Sequence, residues 1–75
     1  MMLVKKEFEK KLANAEKQLK FHIDKKTNLI NQLKNTSEYK VRLRLKEKIL
    51  EQKNLIDIWV SDIKNIEKQL KTSQN

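Results

Sequence analysis

Chemistry in this 75-residue sequence would have to start from one histidine, ten carboxylates, three serines and a run of cations. His22 is the sole histidine and there is no cysteine, so a transition-metal site would need carboxylates such as Asp24. Residues two apart fall on different faces of a helix, which separates those two side chains. Ser37, Ser61 and Ser73 have no histidine placed to activate them. Glu7 has Lys11, and Glu16 has Lys20, at the spacing of solvated helix-surface pairs. A phosphate-cradling loop needs glycines, and the chain has none. The reading is a non-enzyme with no catalytic residue, no metal, no cofactor and no small-molecule substrate.

The densest charge lies in Lys40-Val41-Arg42-Leu43-Arg44-Leu45-Lys46-Glu47-Lys48, beside Tyr39. Lys40, Arg42, Arg44, Lys46 and Lys48 are candidate contacts for phosphates, and Tyr39 could stack on a base. The whole chain has 18 Lys and Arg against 10 Asp and Glu, a net charge of +8. That balance suits anionic surfaces: nucleic acid, acidic lipid or an acidic protein face. Cations in the first turn of a helix oppose its dipole by about 0.3–1 kcal/mol each, which is tolerated more readily when they have another use.

These side chains must be positioned by helices, because the chain contains neither glycine nor proline, the usual punctuation of turns and strand ends. Val4, Phe8, Leu12, Ala15, Leu19, Ile23, Leu29 or Ile30, and Leu33 recur at steps that are mostly three or four, one stripe of an α-helix. Leu45, Ile49, Ile56, Trp59, Ile63, Ile66 and Leu70 continue the pattern, with Gln52 as a polar layer in a coiled-coil seam. The two stripes are out of phase, and the break contains Asn35-Thr36-Ser37-Glu38. Asn35 in the left-handed conformation would end the first helix, and Thr36 or Ser37 would cap the second. The expected fold is all-α: an antiparallel, coiled-coil-like two-helix hairpin in one domain, 1–71. Helix 1 runs over about 3–34, the turn over about 35–37 and helix 2 over about 38–71, with a disordered tail at 72–75.

A fold-back near Ser37 pairs residues whose numbers add to about 74. Leu33 then faces Val41, Leu29 faces Leu45, Ile23 faces Leu50, and Leu19 faces Leu55 or Ile56. Further along, Ala15 faces Trp59, Leu12 faces Ile63, Phe8 faces Ile66 and Val4 faces Leu70. The smallest seam residue meets the largest, and His22 meets Gln52, so each stripe's polar gap falls in one layer. The expected core within the hairpin is Phe8, Leu12, Ala15, Leu19, Ile23, Leu45, Ile49, Ile56, Trp59, Ile63, Ile66 and Leu70. A single straight helix in a parallel coiled coil would instead bury Lys40 and Asn54.

One seam cannot absorb every apolar residue. Phe21, Ile30, Leu43, Leu50, Leu55, Ile58 and Val60 point away from it, and each forgoes about 1.5–3 kcal/mol of burial if left in water. Pairing two hairpins into a four-helix bundle covers them, so a homo-oligomer, specifically a dimer, is expected. A heterologous protein lying on the same stripe is the competing explanation. The expected function is that of a non-enzymatic interaction module: a small basic adaptor, regulator or inhibitor of a larger protein, with a phage or mobile element as its expected source. The alternative is a nucleic-acid binder using the tip around 40–48. No stretch approaches the length of a membrane span, and the start lacks the apolar region of a secretory signal, so the cytoplasm is the expected location. A basic amphipathic helix lying on a membrane is the weaker fit, since the apolar stripes already cover each other.

Overall fold

The computed structural model describes the backbone of residues 2–73 and the side chains of residues 5–72. It contains two helices, α1 (Met2–Lys34) and α2 (Tyr39–Ser73), with no strand among the described residues. A helix of 33 residues is about 50 Å long at 1.5 Å per residue. The molecule measures 56 × 14 × 12 Å, one helix long and two helices across. The chain therefore folds back on itself as a hairpin.

The bend is made without any left-handed residue. No described residue has positive φ, so Asn35 does not take the expected left-handed cap conformation. Instead the Asn35 N–H donates to the Gln32 carbonyl at 3.1 Å, a three-residue step that tightens the last turn of α1. The carbonyls this leaves over are taken up by Arg42. Its Nη1 donates to the Leu33 carbonyl at 2.7 Å and to the Thr36 carbonyl at 2.9 Å. A guanidinium from the second helix thus closes the end of the first, where the helix dipole is negative. α2 opens with the Arg42 N–H on the Glu38 carbonyl at 2.9 Å, so Glu38 occupies the cap position expected of Thr36 or Ser37. The connection covers 35–38, one residue longer than expected, because Glu38 stays outside the helix.

At the far end α2 extends through Thr72 and Ser73, where the tail was expected to begin. The Thr72 hydroxyl donates back to the Lys68 carbonyl at 2.9 Å. Residues 74–75, and the Val4 side chain expected opposite Leu70, lie outside the described residues.

The seam of α2 follows the expected heptad: Leu45, Gln52 and Ile66 are buried, and Ile49, Ile56, Trp59, Ile63 and Leu70 are half-buried. In α1 the seam positions Phe8, Leu12, Ala15, Leu19, His22, Lys26, Leu29 and Leu33 are covered, with Gln18 and Ile30 half-buried beside them. The seam positions alternate by four and three without a break, so the seam passes through His22 and Lys26 rather than Ile23. Ile23 is 44% exposed and leaves the expected core, and its expected partner Leu50 is 57% exposed. The reason is register: continuing from Leu19 to Ile23 and then to Leu29 breaks the heptad, whereas His22 and Lys26 preserve it. Lys26 can hold such a position because its four-carbon stem is apolar while its ammonium reaches water. Ala15, at 1% exposure, is the most enclosed side chain of the buried core.

Replacing Arg42 with alanine removes two charge-assisted hydrogen bonds at a half-buried site. Urea denaturation of Arg42→Ala is expected to show a loss of about 2 kcal/mol. Arg44→Ala, on an exposed position two residues away, should stay within about 0.5 kcal/mol of the parent. Equal losses in both variants would show that the Arg42 bonds do not hold the turn.

Candidate interaction surfaces

The polar layer fixes the register of everything outside the seam. His22 Nδ1 donates to Gln52 Oε1 at 2.6 Å, a pair thirty residues apart in sequence. The amide oxygen can only accept, so the ring carries its proton on Nδ1 in this pair. Gln52 is 5% exposed, and among the described residues no buried side-chain nitrogen or oxygen lacks a partner. Sliding either helix by one residue would strand both groups.

With the register set, the position of each remaining residue follows from its offset to the seam. Successive residues step about 100° around a helix. The helices are antiparallel, so a step of the same sense from each seam leads to the same broad side of the hairpin. Phe21 precedes His22, Leu55 precedes Ile56 and Ile58 precedes Trp59, which puts all three on one side. Ile23 follows His22, Ile30 follows Leu29, Leu43 follows Arg42, Leu50 follows Ile49 and Val60 follows Trp59, which puts these on the other. The surface clefts obey the same division. Lys11 and Asn14 share one with Asp62, Asn65 and Gln69 on the first side, whereas Leu12 shares one with Glu67 and Lys71 on the second. The seven residues expected to form one interface therefore divide between two opposite sides.

On the first side Phe21 is 56% exposed and Ile58 61%, with Leu55 half-buried between the seam and solvent. The Phe21 ring meets His22 edge-on at a centroid distance of 5.2 Å, which ties this patch to the polar layer. Toward the turn the same side opens into a shallow cleft of about 530 Å³ lined by Asn28, Asn31, Gln32, Asn35, Thr36, Val41 and Leu45. On the second side Leu43 and Leu50 are exposed, and Ile30 and Val60 are half-buried.

The residues expected to contact anions differ in their surroundings. Arg42 is half-buried, and its Nη1 is engaged with the Leu33 and Thr36 carbonyls at the α1 terminus. Tyr39 is exposed, as are Lys40, Arg44, Lys46 and Lys48. Steps of four put Lys40, Arg44 and Lys48 along one row of α2, and Lys46, two residues from Arg44 and from Lys48, falls outside it. Among the described residues no group of three His, Cys, Asp or Glu could hold a metal ion, and no helix is long and apolar enough to cross a membrane. No protein family, curated protein or solved structure matches this chain.

What sequence reasoning missed here is Arg42 and Lys26, a cation acting as a helix cap and a cation in the seam. The only available signal was that Lys26 sits at a heptad position once the phase is taken from His22, and that Arg42 sits seven residues before Ile49 in the α2 heptad.

The His22–Gln52 layer makes its own prediction. Gln52→Leu alone leaves the His22 Nδ1–H without an acceptor and should cost about 1–2 kcal/mol in urea denaturation. The double substitution His22→Leu with Gln52→Leu should recover at least the parent stability. Strictly additive effects would show that the two groups do not depend on each other.

Proposed function

We propose that this chain is a non-enzymatic interaction module: a basic helical hairpin that pairs with a second copy into a four-helix bundle and acts by binding a larger protein. The observation that carries this reading is the exposure of Phe21 and Ile58, 56% and 61%, on one broad side of the hairpin. An aromatic ring and a branched aliphatic side chain left in water on one broad side, about five residues (about 7.5 Å) apart along the hairpin, are what we read as a contact surface rather than scattered surface residues.

The patch suits a second copy of the chain. Phe21, Leu55 and Ile58 lie near the middle of the hairpin's length, so a two-fold axis through them would overlay two hairpins from end to end. Charges on this side are mixed, with Lys11, Lys25 and Lys48 interspersed with Glu51 and Asp62. Self-pairing there brings opposite charges within reach and piles up no single sign. Burial of the polar layer's neighbours in such a bundle would also offset the thin core of a chain this small.

The alternative, nucleic-acid binding through the tip, is the weaker reading. A groove or row of cations that follows a phosphate backbone is what such binding uses. Here the Arg42 Nη1 is committed to the turn, and the row Lys40, Arg44 and Lys48 is short, with Glu47 three residues from Arg44 and Glu51 three residues from Lys48.

Sedimentation equilibrium tests the pairing. The parent is expected at twice the 9.0 kDa chain mass. Phe21→Ser with Ile58→Ser should fall to the single-chain mass while keeping its helical circular dichroism. A well-folded parent that sediments as a single chain would overturn the bundle.

A further inference from the structure

The second side of the hairpin differs from the first in charge and in position along the molecule. Ile23 and Ile30 are seven apart on α1, and Leu43 and Leu50 are seven apart on α2. The register set by His22 with Gln52, and by Arg42 with Leu33, brings Ile23 level with Leu50 and Ile30 level with Leu43. Two apolar rows therefore run side by side in the turn-proximal half, and Tyr39, at 73% exposure, continues them at the tip. Thr27 lies between Ile23 and Ile30, with its hydroxyl already donating to the Ile23 carbonyl at 3.0 Å.

Along the two helices the ionic groups beside these rows are all of one sign; Glu38 lies outside the helices, in the connection before Tyr39. Lys20 and Lys34 lie one turn from Ile23 and Ile30 on the same edge of α1, and Lys46 and Lys53 lie three residues past Leu43 and Leu50 on α2. All four are exposed, and none forms an ion pair among the described residues. The nearby carboxylates face elsewhere: Asp24 and Glu47 sit on the backs of the helices and Glu51 on the opposite side. Toward the open end Glu16 and Asp57 appear, and the apolar rows stop.

We infer that this lysine-laced apolar face docks an acidic amphipathic helix of a partner protein. The inference rests on the reading of the chain as an interaction module and names the partner's chemistry. Rows spaced by seven residues, about 10.5 Å at 1.5 Å per residue, match the i, i+7 anchors of an apposed helix. Four unpaired cations alternating with those rows select glutamate and aspartate on the flanks of that helix. A second copy of the chain does not fit: a two-fold axis through this patch would face lysine rows with lysine rows. The axis would also leave the open ends of both hairpins uncovered, since the patch is off-centre.

The full-length chain is titrated with synthetic helices of about five turns. One carries leucine at every third or fourth position with glutamate beside it, the second has lysine in place of the glutamate, and the third has the glutamate composition with its leucines scattered. Calorimetry gives affinity and ¹⁵N amide shifts give location. The glutamate helix should bind with shifts centred on Ile23, Ile30, Leu43 and Leu50. Lys46→Glu with Lys53→Glu should weaken it at least about tenfold, and Leu43→Ser with Leu50→Ser should do the same. Lys17→Glu with Lys68→Glu makes the same charge change on the backs of the helices and should have a far smaller effect. Equal binding of the lysine or scattered helices would overturn the inference, as would saturable binding to vesicles rich in phosphatidylserine with none to the peptides. If Leu43→Ser with Leu50→Ser instead splits a parent dimer, this face belongs to self-association, and only the docking inference falls. A parent that is single-chain in solution and binds none of the helices removes both readings.

Discussion

The structure depends on how a chain without glycine or proline turns a corner. Both ends of every helix leave backbone groups unsatisfied, and the usual remedy at a C-terminus is a glycine at positive φ. Here no described residue has positive φ, and the Arg42 guanidinium takes the carbonyls of Leu33 and Thr36 instead. This accounts for a cation near the start of α2, where the helix's own dipole disfavours it. In space that charge sits at the C-terminal end of α1, where a positive group stabilises the dipole. The turn and the register are coupled as a result, because the clamp reaches across only when the helices pair in this alignment.

From that alignment the rest follows in order. His22 meets Gln52, so the only buried polar side chain among the described residues has its acceptor matched to a donor at one level. Phase then dictates which apolar residues are covered and which remain outside. A seam of one residue in each three or four accounts for Leu29, Leu45, Ile66 and Ala15 and leaves Phe21, Leu43, Leu50 and Ile58 in water. Opposite offsets from the seam separate those leftovers into two patches, one central with mixed charge and one near the tip flanked along the helices by lysines only. The proposed division of labour between self-pairing and partner docking follows from that difference in charge and position.

Much of the hairpin was legible in the sequence. The α2 heptad, the break near Ser37 and the meeting of His22 with Gln52 all follow from spacing, because a seven-residue repeat survives translation into structure with little else needed. The phase of α1 was misread at Ile23 because an apolar residue beside a histidine looks like the seam, while a lysine four residues beyond looks like its end. Lys26 shows why the pattern misled: a long aliphatic stem serves a seam while its charged head stays wet. Arg42 was illegible for a different reason. A side chain that bonds backbone carbonyls nine and six residues away leaves no period in the sequence, and composition assigned it to the surrounding basic tract. The two patches were hidden behind the same phase error, since sides can be assigned only once the seam is known.

An isotope-filtered NOE between the Ala15 methyl group and the Trp59 indole tests the central claim, that the chain folds back on itself, most directly. Two straight helices lying antiparallel would bring the same residues together, but between chains. The account predicts that the cross-peak persists within uniformly labelled chains diluted into a large excess of unlabelled protein. A cross-peak seen only between labelled and unlabelled chains would contradict it.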